Sequence, residues 1–135
     1  MMRRTGVDHL DLVVSDLGRS LAFYRALLEP LGYAWASEIA GERGERVVYF
    51  GGSGIVPVSL RQAQTRGPYD RYRIGIHHVA FQAASREVVD ERLRWARGQG
   101  AEIESDPKEY DYRPGYYAGF FYDADGIKLE IMHVP

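Results

Sequence analysis

The chain contains no cysteine among its 135 residues. This absence excludes disulfides, thiolate-bound zinc and cysteine nucleophiles. Any metal ion that the protein binds must therefore be held by nitrogen and oxygen ligands. A chain of this length corresponds to one domain and can bury a substantial core.

Long apolar runs and strong charge are also absent. No stretch approaches the roughly 20 apolar residues of a membrane span, and residues 1–5 are not followed by the apolar segment of a signal peptide. We therefore expect a cytoplasmic protein. The formal net charge is −2 and the arginines are scattered, so neither nucleic acid nor a membrane is expected as a partner.

One strand pattern occurs twice, and each copy has a histidine near its start. The first copy covers residues 7–14 and contains His9, and the second covers residues 74–82 and contains His78. The two histidines are 78 − 9 = 69 residues apart, close to half of the chain. Because a helix pattern follows each copy, the chain is predicted to consist of two similar modules.

The other elements repeat in the same order. In the first half, Ser15 and Asp16 favour a helix start, and Pro30 and Gly32 favour its end. In the second half, Ser85 is the predicted cap. The remaining short strands are predicted, in chain order, at residues 33–38, 46–50, 55–61, 101–105, 116–122 and 127–134.

This repeat predicts an α+β fold of two βαβββ modules, which form a cup-shaped, mainly antiparallel sheet with the helices outside. Module 1 spans about residues 7–61, a polar linker about 62–73, and module 2 about 74–134. We expect residues 1–135 to form a single domain.

Two histidines and one carboxylate on strands suit a metal site with open coordination positions. Glu130 interrupts an apolar strand, where burying a carboxylate is costly without a metal ion or another cation. The alternative is that Glu130 faces outward on a one-sided sheet, since Lys128 shares its face. We predict that His9, His78 and Glu130 bind one divalent ion, with Fe, Mn, Ni and Zn all possible.

The sequence resembles the vicinal oxygen chelate superfamily, which includes glyoxalase I, extradiol dioxygenases, fosfomycin-resistance enzymes and bleomycin-resistance proteins. The matching segments are HLDLVVSDLGRSLAFY at 9–24, LGY at 31–33, HVAF at 78–81 and YAGFFYDADGIKLE at 117–130. The resemblance implies paired modules around one site, with metal-binding roles for His9, His78 and Glu130.

The resemblance also implies a homodimer. Modules in this family pair within one chain or swap across a dimer. In a swapped dimer, His9 would meet His78 and Glu130 of a second chain.

The family's fourth ligand has no counterpart here. Four-ligand members have Glu or Gln on the last strand of the first module. Aligning Gly54 with Gly126 places Val58 opposite Glu130, and shifted registers offer Ser59, Leu60 or Arg61. None of these is a usual metal ligand, which predicts a three-ligand site and counts against glyoxalase I activity.

Residues 110–117 are rich in tyrosine, which suits recognition of a small organic molecule. Tyr116 and Tyr117 are candidate catalytic residues that would stabilise an oxyanion or pass a proton. Tyr112, Arg113 and Phe120 are candidate substrate-binding residues, with Arg113 suited to an anionic group. The alternative is that these tyrosines pack the loop against the sheet.

Strand alternation predicts that His77 and His78 point to opposite faces, with only His78 in the site. The extradiol dioxygenases usually carry a further histidine, which this sequence lacks upstream of the second module, and a tyrosine where Phe120 stands. The predicted function is a metal-dependent enzyme acting on a small oxygenated metabolite, by dioxygenation or by isomerase- or transferase-type chemistry. The alternative is a metal-free small-molecule-binding protein.

Overall fold

The structure, a computed structural model, describes residues 5–135 of the chain. It divides into two compact units, with the boundary between Arg66 and Gly67. That boundary lies inside the segment predicted as a linker. No helix among the described residues is both long and apolar enough to cross a membrane.

The first unit is one four-stranded sheet with one helix. A short 3₁₀ helix (Glu29–Leu31) follows the main helix. The strands lie in the order β1-β4-β3-β2, with β1 and β4 parallel and the other pairs antiparallel. Its elements are β1 (Leu10–Val14), α1 (Leu17–Leu28), β2 (Trp35–Ala40), β3 (Arg46–Gly51) and β4 (Val58–Gln62).

The second unit repeats this arrangement. Its strands lie in the order β5-β8-β7-β6, again with one parallel pair, β5 with β8. The predicted pair of βαβββ modules is therefore confirmed. The elements are β5 (His78–Gln82), α2 (Arg86–Gly98), β6 (Ile103–Tyr110), β7 (Tyr116–Tyr122) and β8 (Lys128–His133).

Both helices start at the predicted caps. The Asp16 carboxylate accepts a hydrogen bond from the backbone N–H of Arg19 at 3.1 Å, and the Ser85 hydroxyl accepts one from Val88 at 3.2 Å. These caps satisfy N–H groups that have no partner inside the helix. After α1, Gly32 takes a φ of 103°, which a residue with a side chain rarely adopts.

One face of each sheet packs against the helix of the same unit and forms its core. In the second unit, Phe121, Leu129 and Ile131 are fully buried, and Val89 of α2 is fully buried with them. In the first unit, Leu60 of β4 and Leu27 of α1 are fully buried. The opposite face of the second sheet carries a second apolar cluster, formed by Tyr116, Ala118, Phe120 and Met132.

Several strand boundaries differ from the sequence-based expectation: β1 begins at Leu10 and not at residue 7, and β4 begins at Val58 and not at residue 55. β5 begins at His78 and not at Ile74, so residues 74–77 lie outside the strand. β6 continues to Tyr110 through Pro107, with one register shift between Ile103 and Ser105 and another between Ser105 and Lys108. Proline lacks the N–H that a central strand must donate, and it is tolerated here because β6 lies at the edge of the sheet.

Gly119 allows α2 to lie close to β7. A Cβ atom at this position would lie 2.7 Å from Cγ of Leu93 on the helix. We expect Gly119→Val to lower the free energy of unfolding by about 1–3 kcal/mol, because added volume in a packed core forces side chains and backbone apart. Urea unfolding monitored by circular dichroism measures this change.

Gly98→Ala is the matched control, because an added methyl group at this helical position has no atom within 4 Å. It should leave stability unchanged or raise it slightly, as alanine favours a helix over glycine. Equal destabilisation by both substitutions would contradict the close packing of α2 on β7.

Candidate metal centre

Glu130 lies at the middle of the second sheet. It is on β8, level with Ala80 of β5 and with Phe120 of β7. Glu130 is only 3% exposed, although it lies on the sheet face that does not pack against α2. The buried carboxylate therefore depends on partners within the protein.

His78 is one of these partners. Its Nε2 atom lies 3.2 Å from Oε1 of Glu130. His78 is the first residue of β5 and pairs with Lys128 of β8. Because Lys128 and Glu130 are two residues apart on β8, the imidazole lies on the same face as the Glu130 carboxylate. An imidazole nitrogen and a carboxylate oxygen at this separation can face one cation together.

Tyr116 is the other partner. Its hydroxyl donates a short hydrogen bond to Oε2 of Glu130. Burial, and then this hydrogen bond, raise the pKa of Tyr116 well above its usual value. The phenol therefore stays protonated at neutral pH and remains a donor to Glu130.

The donor set of the second unit suits a divalent cation, since His78 and Glu130 offer a nitrogen and an oxygen ligand close to each other. Within the described part of each unit, no three His, Asp or Glu side chains group as metal ligands. His78 and Glu130 are thus a pair, and the predicted third ligand, His9, belongs to the first unit.

His9 lies just before β1 and has two carboxylates beside it. Its Nδ1 atom is 2.9 Å from Oδ2 of Asp8, and its Nε2 atom is 3.8 Å from Oδ1 of Asp11. The ring also packs edge-on against Tyr49, with centroids 5.9 Å apart. The side chain is 45% exposed, so it is accessible to a ligand.

The prediction that Val58 occupies the place of Glu130 is wrong by one residue. In the second sheet Glu130 pairs with the residue two after His78, and in the first sheet the residue two after His9 pairs with Ser59. The turn after Gly54 is one residue longer than the turn after Gly126, which the glycine alignment missed. Val58 itself is buried in the core.

Asp11 is a residue of this region that the sequence-based reasoning missed. Its carboxylate accepts a hydrogen bond from the Ser59 hydroxyl and one from Nε of Arg61 at 2.8 Å. Because it follows His9 by two residues in the predicted strand at residues 7–14, alternation predicts both on the same face. The serine hydroxyl is thus engaged by Asp11, while Arg61 also pairs with Glu42.

The candidate substrate-binding residues form one aromatic cluster with Tyr116. Tyr112 stacks on Tyr110 with centroids 5.2 Å apart and meets Tyr116 edge-on at 5.2 Å. Tyr110 meets Phe120 at 5.7 Å, and Phe120 lies 6.4 Å from the ring of His78. This aromatic surface therefore continues directly to the Glu130 carboxylate.

Arg113 lies over the ring of Tyr116, with its guanidinium carbon 5.3 Å from the ring centroid. Its side chain is exposed. A cation over an aromatic face is stabilised by the ring's quadrupole. The geometry brings together Tyr112, Arg113, Tyr116 and Phe120.

Tyr117 does not join this cluster. Its hydroxyl donates to Oδ1 of Asp90 on α2 at 2.6 Å, and Arg86 lies over its ring. Adjacent strand residues point to opposite faces, so Tyr116 and Tyr117 cannot both face Glu130. The structure therefore does not bring Tyr117, predicted as a candidate catalytic residue together with Tyr116, to the side of the sheet that carries Glu130.

The expectation for His77 is also corrected. The Nδ1 atoms of His77 and His78 lie 2.8 Å apart, so the two rings meet and do not point to opposite faces. The reason is that β5 begins at His78, and strand alternation does not extend to the residue before it. His77 also packs on Tyr72, with ring centroids 5.2 Å apart.

Several solved structures share this fold. A glyoxylase/bleomycin resistance protein/dioxygenase domain from Frankia sp. EAN1pec superposes with a TM-score of 0.78 at 26% identity, covering 98% of this chain and 94% of that one. A putative glyoxalase from Bacillus halodurans gives 0.70 at 28%, covering 95% of each chain. The fosfomycin resistance protein FosX from Listeria monocytogenes, solved with Mn(II) and sulfate, gives 0.66 at 22% identity, covering 98% and 95%.

Sequence comparison agrees with these structural similarities. The uncharacterized protein YqjT of Bacillus subtilis is 30% identical over 131 residues, which cover 93% of this chain and 97% of that protein. The sequence model of one protein family matches residues 6–131, nearly the whole chain. The chain therefore belongs to the Glyoxalase/Bleomycin resistance protein/Dioxygenase superfamily.

Proposed function

We propose that the protein is a metal-dependent enzyme that acts on a small oxygenated metabolite. The observation that supports this most is the buried Glu130 carboxylate beside Nε2 of His78. In this proposal both side chains bind one divalent ion. His9 supplies the third ligand, from the same chain or from a second copy in a homodimer.

We propose an enzyme and not a metal-free binding protein because the side chains that could bind a metal ion are present. A carboxylate placed in the floor of a sheet is costly unless a cation or hydrogen bonds stabilise it. A protein that only sequestered an apolar ligand would gain nothing from this cost. The FosX structure contains Mn(II), so Mn(II) is a suitable first ion to test here.

The ion, when bound, would supply Lewis acidity toward two adjacent oxygens of a substrate. The protein's own residues would do the rest. Tyr116 holds the orientation of Glu130 through its hydroxyl, and it is the nearest protonated donor for an oxygen that develops negative charge. The aromatic cluster of Tyr110, Tyr112 and Phe120 would pack against the carbon skeleton of the substrate, and Arg113, which lies over Tyr116, would contact the substrate beside this cluster.

The number of ligands restricts the types of reaction that the site could support. With Ser59 where the repeat would place a fourth ligand, and with its hydroxyl engaged by Asp11, the site would keep about three positions open. That arrangement suits ring-opening dioxygenation or an isomerisation or transfer. Oxygen consumption with a panel of catechols separates the first of these from the other two.

Removal of a proposed ligand should abolish metal binding. We expect His78→Ala and Glu130→Ala each to weaken Mn(II) binding by more than about 100-fold, because loss of residues outside the ligand set alone costs 10–100-fold. Isothermal titration of the purified full chain with Mn(II), Fe(II), Ni(II) and Zn(II) measures the affinities.

His133→Ala is the control for these variants. His133 is on β8 but contacts the backbone carbonyl of Ala83 through Nδ1 at 2.9 Å, and it points to the other face from Glu130. Its removal should leave the affinity unchanged. A folded wild-type protein that binds none of the four ions would sink the proposal.

Tyr116→Phe should weaken metal binding by about 10–100-fold while the protein stays folded, because Glu130 loses the donor that orients it. Tyr117→Phe removes a hydroxyl from the neighbouring residue on the opposite face, where it contacts Asp90, and should leave the affinity unchanged. Mn(II) titration followed by electron paramagnetic resonance measures both variants. Equal affinities for Tyr116→Phe and the wild type would show that Tyr116 does not position Glu130.

A further inference from the structure

Lys128 is a cation built into the same face of the sheet as Glu130. It is two residues before Glu130 on β8 and level with His78 on β5. Its side chain is only 14% exposed, and its ammonium lies 2.8 Å from Oε2 of Glu104. The ammonium also lies 4.7 Å from the centroid of Phe120. A lysine held this closely to a sheet is more than a solvated surface residue.

Arg71 adds a second cation to this place. Its guanidinium carbon lies 5.0 Å from the ring centroid of Tyr122 and 5.1 Å from that of Tyr72. Tyr122 is level with Lys128 across the β7–β8 pairing, so both face the same side. The segment before β5 therefore places Arg71 against the ring of Tyr122, the residue that pairs with Lys128.

A second set of contacts links Arg71 to the candidate metal ligands. Tyr72 packs against His77, and His77 contacts His78. The guanidinium is thus connected to the His78–Glu130 pair through Tyr72 on one side and through Tyr122 and Lys128 on the other. These ring contacts and the β7–β8 pairing fix the position of the Arg71 guanidinium relative to His78 and Glu130.

Lys128 and Arg71 both lie near the carboxylate of Glu104. Glu104 binds Lys128 and also accepts the hydroxyl hydrogen bond of Tyr122, so its carboxylate is shared. Within residues 5–135, Nε of Arg71 is buried and has no hydrogen-bond acceptor. A buried N–H of a cation without an acceptor is rare in proteins, because its lost hydration is not replaced.

We infer that Arg71 and Lys128 form a subsite for an anionic group beside His78 and Glu130, so that the substrate carries a carboxylate, phosphate or phosphonate next to its chelating oxygens. Guanidinium and ammonium groups are the usual recognition elements for such anions, and both cations here contact residues of the same strand face, Tyr122 and Phe120. The substrate class rests on the proposed function, whereas the anion subsite itself requires only the second unit.

This assignment differs from a role for Arg113 in holding the anion. Arg113 lies over Tyr116 with its side chain exposed, whereas Lys128 lies beside His78 in the strand register. An anion bound at Lys128 would leave Arg113 free to cover the aromatic cluster. Replacing Arg71 and replacing Arg113 should therefore have different effects on anion binding.

The test compares a small hydroxy acid with its neutral isostere. Glycolate, hydroxymethylphosphonate and the neutral glycolamide are titrated into the Zn(II)-loaded full chain, and binding is followed by ¹H–¹⁵N NMR. We expect Arg71→Gln and Lys128→Gln each to weaken binding of the anions by about 10-fold or more, since charge-assisted hydrogen bonds are lost. Glycolamide binding should not change, and the two anion arms distinguish a carboxylate substrate from a phosphonate one.

Arg73→Gln is the matched control, because Arg73 is two residues from Arg71 but its side chain is 77% exposed. It should leave anion affinity unchanged. Anion affinities that stay at the wild-type value in both Arg71→Gln and Lys128→Gln, or that fall equally in Arg73→Gln, would overturn the subsite. Equal affinities of the wild type for glycolate and glycolamide would overturn it as well.

The same titrations in EDTA separate this inference from the proposed function. Anion binding that persists without metal and is lost in Arg71→Gln supports the subsite, even if Zn(II) fails to bind to the wild type. Zn(II) binding without any preference for the anions supports the metal site and removes the subsite.

Discussion

The structure of the second unit depends on one buried carboxylate. Glu130 is on β8, which lies between β5 and β7, and each neighbouring strand supplies one partner for it. His78 faces one carboxylate oxygen and Tyr116 donates to the other. Because an unpartnered carboxylate in this position would be strongly unfavourable, the strand register, the start of β5 and the orientation of Tyr116 are all tied to the same group.

The first unit shows that the backbone alone does not create this site. Its sheet has the same strand order and the same mixture of pairings, yet Ser59 stands at the position of Glu130. There the polar face is organised by Asp11, which binds Ser59 and Arg61. The duplicated scaffold therefore carries two different polar arrangements, and the buried acid is found in one of them. The fold alone therefore does not determine which polar site a module carries.

Much of the fold follows from the sequence, since the elements are amphipathic and well capped. Asp16 and Ser85 mark both helix starts, and β7 has the limits that its apolar pattern predicts. The site is less predictable, because a one-residue difference in a turn moves a side chain to the other face. For this reason Ser59, and not Val58, stands at the position of Glu130. His77 does not follow the alternation of β5, because it lies before the first residue of that strand. Arg71 lies in a segment without periodicity, so its contacts with Tyr72 and Tyr122 could not be read from the sequence.

The proline in β6 has a consequence for how the second unit behaves in a crowded solution. An edge strand offers unpaired N–H and C=O groups to any other extended chain, which is the first step of sheet-to-sheet aggregation. Pro107 has no N–H group to donate at this edge and lies within a register shift. The neighbouring Asp106 and Lys108 place charges along the same edge. The hairpin that carries Tyr110 and Tyr116 can thus present a rich aromatic surface to small molecules while its outer edge resists recruitment into intermolecular β-structure.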